Sequence, residues 1–179
     1  MSIQADLAGM EQDGKLLRYE PGRRASRRLY LTAHAVGQYN DPESSVNILV
    51  GRGYIRAAFE RWTTGGYVHG DRGVGVFLKP LHPPPPDIWE VRVTDPVPQA
   101  RIFGRFLESD TLVVTHLHTR RHLDEDNGWM TAMNACNTAW EALFPFRRPF
   151  TGEHIHEYVT RNCDDFSVIS RPPGRRGRK

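Results

Sequence analysis

The sequence predicts an α+β domain, in which N-terminal helices pack on a small, twisted, mostly antiparallel sheet and an additional helix follows the sheet. Apolar residues recur at helical spacing in the first half of the chain, short alternating segments occupy the middle, and a second helical stripe comes after them. We expect a single domain over residues 27–160. A flexible basic arm over residues 1–26 and a disordered basic tail over residues 161–179 are expected on either side.

Two helical pieces are predicted ahead of the sheet, over about residues 42–50 and 52–62, with a bend at Gly51 and Gly53. In the second piece, four apolar residues lie at the spacing of one helical face: Ile55, Ala58, Phe59 and Trp62. Such a stripe is typical of core packing.

Short strands are predicted over residues 29–32, 73–79, 88–94, 99–107 and 111–119, the first at the sheet edge. The prolines at 83–86 force an extended connection, because proline fixes φ and has no N–H. Residues 108–110 have a tight-turn composition, so the last two strands are expected to form an antiparallel hairpin. A helix is predicted over residues 129–143, where the apolar positions form one stripe that ends before Pro145.

The composition limits the classes of partner. With 179 residues, of which 39% are hydrophobic, the chain is long enough for one core. Its formal net charge is +3, with arginine concentrated near both ends and in the predicted strands. This pattern favours a nucleic acid or an acidic protein as partner. No apolar run approaches the length of a membrane span, so we expect a cytoplasmic protein without a membrane partner.

No metal or cofactor is expected. Cys136 and Cys163 lack the spacing of zinc or redox sites. The histidines at 116, 118 and 122 have a spacing that metal ligands use, but neither a cysteine nor a carboxylate clearly completes the set.

Four short motifs follow one another between residues 78 and 144: Lys79-Pro80-Leu81, Glu90-Val91-Arg92-Val93, Ala100-Arg101-Ile102-Phe103 and Arg120-Arg121. Their order resembles the toxins of the RelE/HigB superfamily, especially the phage-derived HigB-like branch. That branch has paired lysines where this chain has arginines. The resemblance implies a RelE-like fold and the toxin half of a type II toxin–antitoxin pair. Family members usually cut mRNA inside the ribosome, and a cognate antitoxin protein silences them.

Metal-independent RNA cleavage needs a group that takes a proton from the 2′-hydroxyl and cations that stabilise the developing charge. The candidate catalytic residues are His116, His118, Arg120 and Arg121, with Glu90 as a further base. The candidate phosphate-binding residues are Lys79, Arg92, Arg101 and Arg105. The leading prediction is therefore ribosome-dependent mRNA cleavage, with the ribosome and mRNA as partners.

A second hypothesis uses the same hairpin differently. The segment 99–103 resembles the Gln-x-x-aliphatic-Phe peptide that docks on bacterial sliding clamps, with Gln99, Ile102 and Phe103 as the contact residues. The chain would then be a non-enzymatic toxin that blocks DNA replication. A third hypothesis is a nucleic-acid-binding module without toxicity.

Overall fold

The computed structural model of the protein describes residues 2–70, 75–81 and 87–168. In chain order the elements are α1 (Ile3–Gln12), β1 (Leu16–Arg18), β2 (Arg28–Thr32), α2 (Ala33–Asn40), α3 (Ser45–Leu49), α4 (Arg52–Thr63), β3 (Leu78–Pro80), β4 (Trp89–Val93), β5 (Ala100–Glu108), β6 (Thr111–Thr119), α5 (Arg120–Leu123), α6 (Gly128–Leu143) and α7 (Ile155–Tyr158). The strands form one mixed sheet in the order β1-β2-β6-β5-β4-β3. The predicted α+β class is confirmed.

Every neighbouring pair in the sheet is antiparallel except β2 and β6, which run parallel. The predicted hairpin is present as β5 and β6, and its turn places Asp110 at a positive φ of 57°. The strand expected at the edge is an interior strand, because β1 pairs outside it. The prolines at 83–86 and residues 71–74 lie outside the described residues.

Helices pack on both faces of the sheet. On one face, α2, α3 and α4 contribute to a large apolar core, which includes the predicted stripe with Phe59 and Trp62. On the other face, α6 packs Cys136 against Phe103 and packs Trp140 among N-terminal side chains. None of these helices, in the described part of the chain, has the length and apolar character needed to cross a bilayer.

The N-terminal segment differs from the expected flexible arm, because it contains α1 and β1. Leu7 and Leu16 are only 1% and 2% exposed, and both pack with Tyr30 and Trp140. The Ser2 hydroxyl caps α1 by accepting the N–H of Ala5. Isolated apolar residues in a polar segment give no periodic signal, so the sequence pattern did not predict this docking.

The segment expected to begin a disordered tail is partly ordered. Cys163 forms an isolated bridge with Val68, and Val168 is 2% exposed within the large core. Residues 169–179 lie outside the described part of the chain.

One side chain completes an edge of the sheet. Because β2 ends at Thr32, residues 115–119 of β6 have no strand beside them on that side. The amide of Gln38, in α2, donates to the Leu117 carbonyl at 3.0 Å and accepts the Leu117 N–H at 2.7 Å. Gln38 therefore satisfies the two backbone groups that a neighbouring strand would otherwise bind.

Candidate functional site

The sheet register brings most of the predicted site residues onto one face. Glu90 lies opposite Phe103, which lies opposite His116, and in the next row Arg92 lies opposite Arg101, which lies opposite His118. Directly opposed residues on neighbouring strands share a face. We call the resulting group, which is Glu90, Arg92, Arg101, His116 and His118, the Glu90 cluster.

Glu90 is the central carboxylate of this cluster and is 2% exposed. Its Oε2 lies 3.2 Å from Arg101 Nε, and its Oε1 lies 3.6 Å from Arg92 Nε. Oε2 and both Nε atoms make no aligned hydrogen bond to any described residue, so these contacts are ionic. Burial raises the pKa of Glu90, and the charges of Arg101 and Arg92 act in the opposite direction.

Arg101 belongs to the interior of the protein. Its side chain is 1% exposed and donates to the Ala100 carbonyl at 2.9 Å and to Gln99 Oε1 at 2.8 Å. Burial lowers the pKa of its guanidinium to about 10. In this fold its Nη atoms already donate to internal acceptors, so the binding of phosphate by Arg101 stays a prediction without an accessible donor.

The two candidate catalytic histidines differ in access to solvent. His116 is 3% exposed, its ring stacks on Phe103 with centroids 5.0 Å apart, and its Nδ1 lies 2.8 Å from Thr115 Oγ1. Burial lowers its pKa to about 3, against a weaker hydrogen-bonding effect of the Ala132 backbone. His118 is half-buried, and burial lowers its pKa to about 4. Both rings are neutral at pH 7, and only His118 is open to a substrate.

The open side of the cluster is formed by α5. Arg120 is 40% exposed, its Nε lies 2.8 Å from Asp124 Oδ2, and its guanidinium lies 5.1 Å from the Trp129 ring centroid. The hydrogen bond from Arg120 is the main reason that the pKa of Asp124 is lowered. Arg121 is exposed.

Positive charge exceeds negative charge here. The cations that act on Glu90 are Arg101, Arg92, Lys79 and Arg120, and Asp124 is the other carboxylate that acts on Arg101. An anion approaching the open side is therefore attracted. Of the predicted phosphate-binding residues, Lys79 and Arg92 retain partial exposure in this region.

Arg105 lies on the same face of β5 as Arg101 and Phe103, but beyond a register shift in the hairpin, where Thr115 of β6 is the extra residue. The register shifts between Phe103 and Gly104, and Arg105 lies beside Val113. It donates to Asp87 Oδ2 at 2.7 Å and to the Asp87 carbonyl at 3.1 Å, and its side chain is 7% exposed. The guanidinium of Arg105 is thus held by Asp87 in this fold, and its part in a phosphate-binding surface stays a prediction.

The proposed clamp-docking segment lies in a central strand. Ile102 and Phe103 are 1% and 0% exposed and belong to apolar cores on opposite faces of the sheet. Gln99 precedes the strand and is partly exposed. In this fold the two apolar contact residues are not accessible to a partner.

The histidines do not converge on a common point. The rings of His118 and His122 stack at 11° with centroids 5.3 Å apart, and in the described residues no group of three or more side chains is placed to hold a metal ion. Sequence reasoning missed His34, whose charge acts on both His116 and His118. No sequence signal pointed to it, because α2 was not predicted.

Comparison of the chain with protein-family models, curated proteins and solved structures gave no match.

Proposed function

We propose that this protein is the toxin of a toxin–antitoxin pair, and that it arrests growth by metal-independent cleavage of mRNA on the ribosome. The observation that carries the proposal is the open side of the Glu90 cluster, where the neutral His118 lies beside an excess of cationic side chains. A cognate antitoxin would silence the protein. The sequence resemblance to RelE/HigB toxins supports the same activity.

In this mechanism, His118 takes the proton of the ribose 2′-hydroxyl, whose oxygen attacks the adjacent phosphorus. The bond to the 5′-oxygen breaks, and a water molecule gives that oxygen a proton, leaving a cyclic phosphate and a 5′-hydroxyl. The hydroxide formed from the water takes the proton back from His118, which restores the neutral ring. Arg92 and Arg120 offset the charge that develops on the phosphate. Glu90 and Arg101 act as positioning residues, since they hold Arg92 in place without reaching the substrate. His116 supports the ring of His118, whose centroid lies 4.8 Å away.

The test is a reconstituted translation reaction in which mRNA is mapped by primer extension. The wild type should cut the message, and H118Q should lower the cleavage rate by about 100-fold or more, the usual contribution of a general base. R120A with R121A should also abolish cleavage. H69Q, at an exposed histidine outside the cluster, is the matched control. Intact mRNA at doses that arrest growth would refute the proposal.

A second candidate is inhibition of DNA replication by docking on the sliding clamp. It is favoured by the internal use of Arg101, Arg105 and His116, because those residues are then not needed for chemistry. Val97, 84% exposed, and the partly exposed Gln99 would make the first contact. Full docking through Ile102 and Phe103 requires the start of β5 to leave the sheet.

Binding of the purified clamp, measured by calorimetry, tests this candidate. Q99A should weaken binding, and Q12A, at an exposed residue of α1, should not. Absence of clamp binding by the wild type would remove the candidate. F103A is unsuitable for this test, because it opens a cavity in the core.

A further inference from the structure

Three clefts surround residues 23–28, at the far end of the hairpin from the Glu90 cluster. Their volumes are about 560, 480 and 300 Å³. The largest shares Thr64 with the second and Arg27 with the third, so the clefts adjoin. Because arginine is the commonest residue in their walls, we call them the arginine clefts.

Arg27 fixes the shape of the largest cleft. Its side chain is 3% exposed and donates to the carbonyl oxygens of Gly66 and Arg161. Its Nε lies 3.7 Å from Asp110 Oδ1. These contacts tie the loop that precedes β2 to the end of α4 and to the segment after α7, so the cleft has a defined wall.

Four further arginines of these clefts are exposed and make no ion pair with any carboxylate of the described residues. They are Arg23, Arg24, Arg56 and Arg161. The carboxylates that lie nearby already have partners. Asp110 accepts from the Thr160 N–H and hydroxyl, and Glu60 accepts from the Tyr19 hydroxyl at 3.1 Å and the Gly22 N–H at 3.4 Å. Eight arginines line the three clefts against the two carboxylates Asp110 and Glu60, so the net charge of the clefts is positive.

The chemistry of the walls identifies the kind of ligand. Besides arginine, the largest cleft presents the Ser26 hydroxyl and the Asn162 amide, whereas the hydroxyls of Thr64 and Thr160 in its wall already donate to internal acceptors. Guanidinium, hydroxyl and amide donors of this kind contact phosphate and sugar in complexes with nucleic acids. A protein partner is expected to need apolar or aromatic side chains at the centre of its interface, and this cleft offers Ala25 alone.

We propose that the arginine clefts bind the phosphodiester backbone of a nucleic acid strand. This site is separate from the Glu90 cluster, since Asp110 lies in the turn before β6, and Thr111 and His118 are seven residues apart on a strand that rises about 3.4 Å per residue, or roughly 24 Å. It does not depend on RNA cleavage.

The test is the fluorescence anisotropy of labelled single strands of about 16 nucleotides, one DNA and one RNA of the same sequence. DNA has no 2′-hydroxyl, so the DNA strand reports binding whether or not the protein cleaves RNA. The variant is R23Q/R24Q/R56Q/R161Q, and its fold is checked by circular dichroism. R52Q, at an exposed arginine outside the clefts, is the matched control.

The quadruple variant should bind both strands at least 25-fold more weakly at 0.1 M salt. We expect this value because the loss of each phosphate contact lowers the affinity by about fivefold, and the variant should lose at least two such contacts. The slope of log affinity against log salt should flatten by about 0.7 for each phosphate that the variant fails to neutralise. R52Q should bind like the wild type.

Unchanged binding by the folded quadruple variant, or an equally weakened R52Q, would overturn the proposal. Displacement of the strands by polyglutamate at the same concentration of charge would also overturn it, in favour of an acidic protein.

Discussion

Glu90 Oε2 lies 3.2 Å from Arg101 Nε, and both side chains are almost completely buried. This pair forms the centre of the candidate site, and it also determines which arginines remain available to bind a ligand. Arg101 is held inside the sheet face, whereas Arg92 and Arg120 keep exposed surface. A ligand would therefore contact Arg92 and Arg120, and the buried Glu90 holds Arg92 in place from inside the protein.

Replacing one partner of the buried pair should lower the free energy of unfolding strongly, whereas replacing both with apolar residues should lower it much less. E90L leaves the Arg101 charge without its carboxylate, and we expect a decrease of about 3–5 kcal/mol in the free energy of unfolding. E90L with R101M should recover most of that decrease, because the charge that remains, Arg92, keeps exposure to solvent whereas Arg101 does not. D124N, in the exposed pair with Arg120, should change the free energy of unfolding far less than E90L does, because solvent screens that pair. Urea denaturation measures all three, and a double variant as unstable as E90L would contradict this prediction.

His116 should make the protein less stable in acid. Its pKa is about 3 in the folded state, below the ordinary value of 6.5. Between these two values the unfolded chain therefore binds a proton at His116 that the folded protein does not bind. Stability should therefore fall as the pH drops below about 6.5, by up to about 1.4 kcal/mol per pH unit, and should be constant above pH 7 with respect to this group.

The measurement compares the pH dependence of unfolding for the wild type and H116Q. The comparison is needed because the raised pKa of Glu90 acts in the opposite direction, favouring the folded state as the pH falls. The difference between the two proteins isolates His116. If H116Q loses stability in acid as steeply as the wild type, the buried neutral histidine is not the cause.

Gln38 should be sensitive to replacement although it lies on a helix surface. Q38A leaves both the N–H and the carbonyl of Leu117 without their partner, and we expect a decrease of about 1–3 kcal/mol in the free energy of unfolding. Q38E can accept the N–H but cannot donate to the carbonyl, so it should also destabilise. Hydrogen exchange of the Leu117 amide gives a local readout, and unchanged protection in Q38A would contradict the assignment.

Gly104 should tolerate no side chain. A Cβ there would lie 2.6 Å from the Val113 carbonyl oxygen, where the register of the hairpin shifts. G104A should therefore destabilise the protein by more than about 1 kcal/mol. G37A, in α2 with open space around the added methyl, should stabilise it by about 0.5–1 kcal/mol. Thermal unfolding of the two variants should shift in opposite directions.

The hairpin and the helix after it were predictable, because alternation, turn residues and the apolar stripe all lie within short segments of sequence. The prediction for β5 was 99–107 and the structure has Ala100–Glu108. Docking of α1 and β1 was not predictable in this way. Leu7 and Leu16 become core residues only through contact with Tyr30 and Trp140, which are distant in sequence.

The sequence predicted which site residues share a face of a strand, but it did not predict which of them are exposed to solvent. Alternation within each strand indicates which of its residues share a face, whereas the row of Arg92, Arg101 and His118 follows from the pairing of three strands. Their burial depends on α5 and α6, and the sequences of the strands do not indicate where these helices pack on the sheet. For Arg105, the partner Asp87 and the packing of Trp140 decided the outcome, and neither was visible in the pattern.

The parallel pairing of β2 with β6 joins Arg28–Leu31 to Thr111–Val114, with roughly 80 residues of chain between them. A nascent chain therefore carries its first strands without their neighbour until the hairpin has emerged. Products that terminate before β6 lack the row that holds His118 and leave the edge of β2 exposed. Premature termination should thus produce aggregation-prone fragments with an incomplete Glu90 cluster.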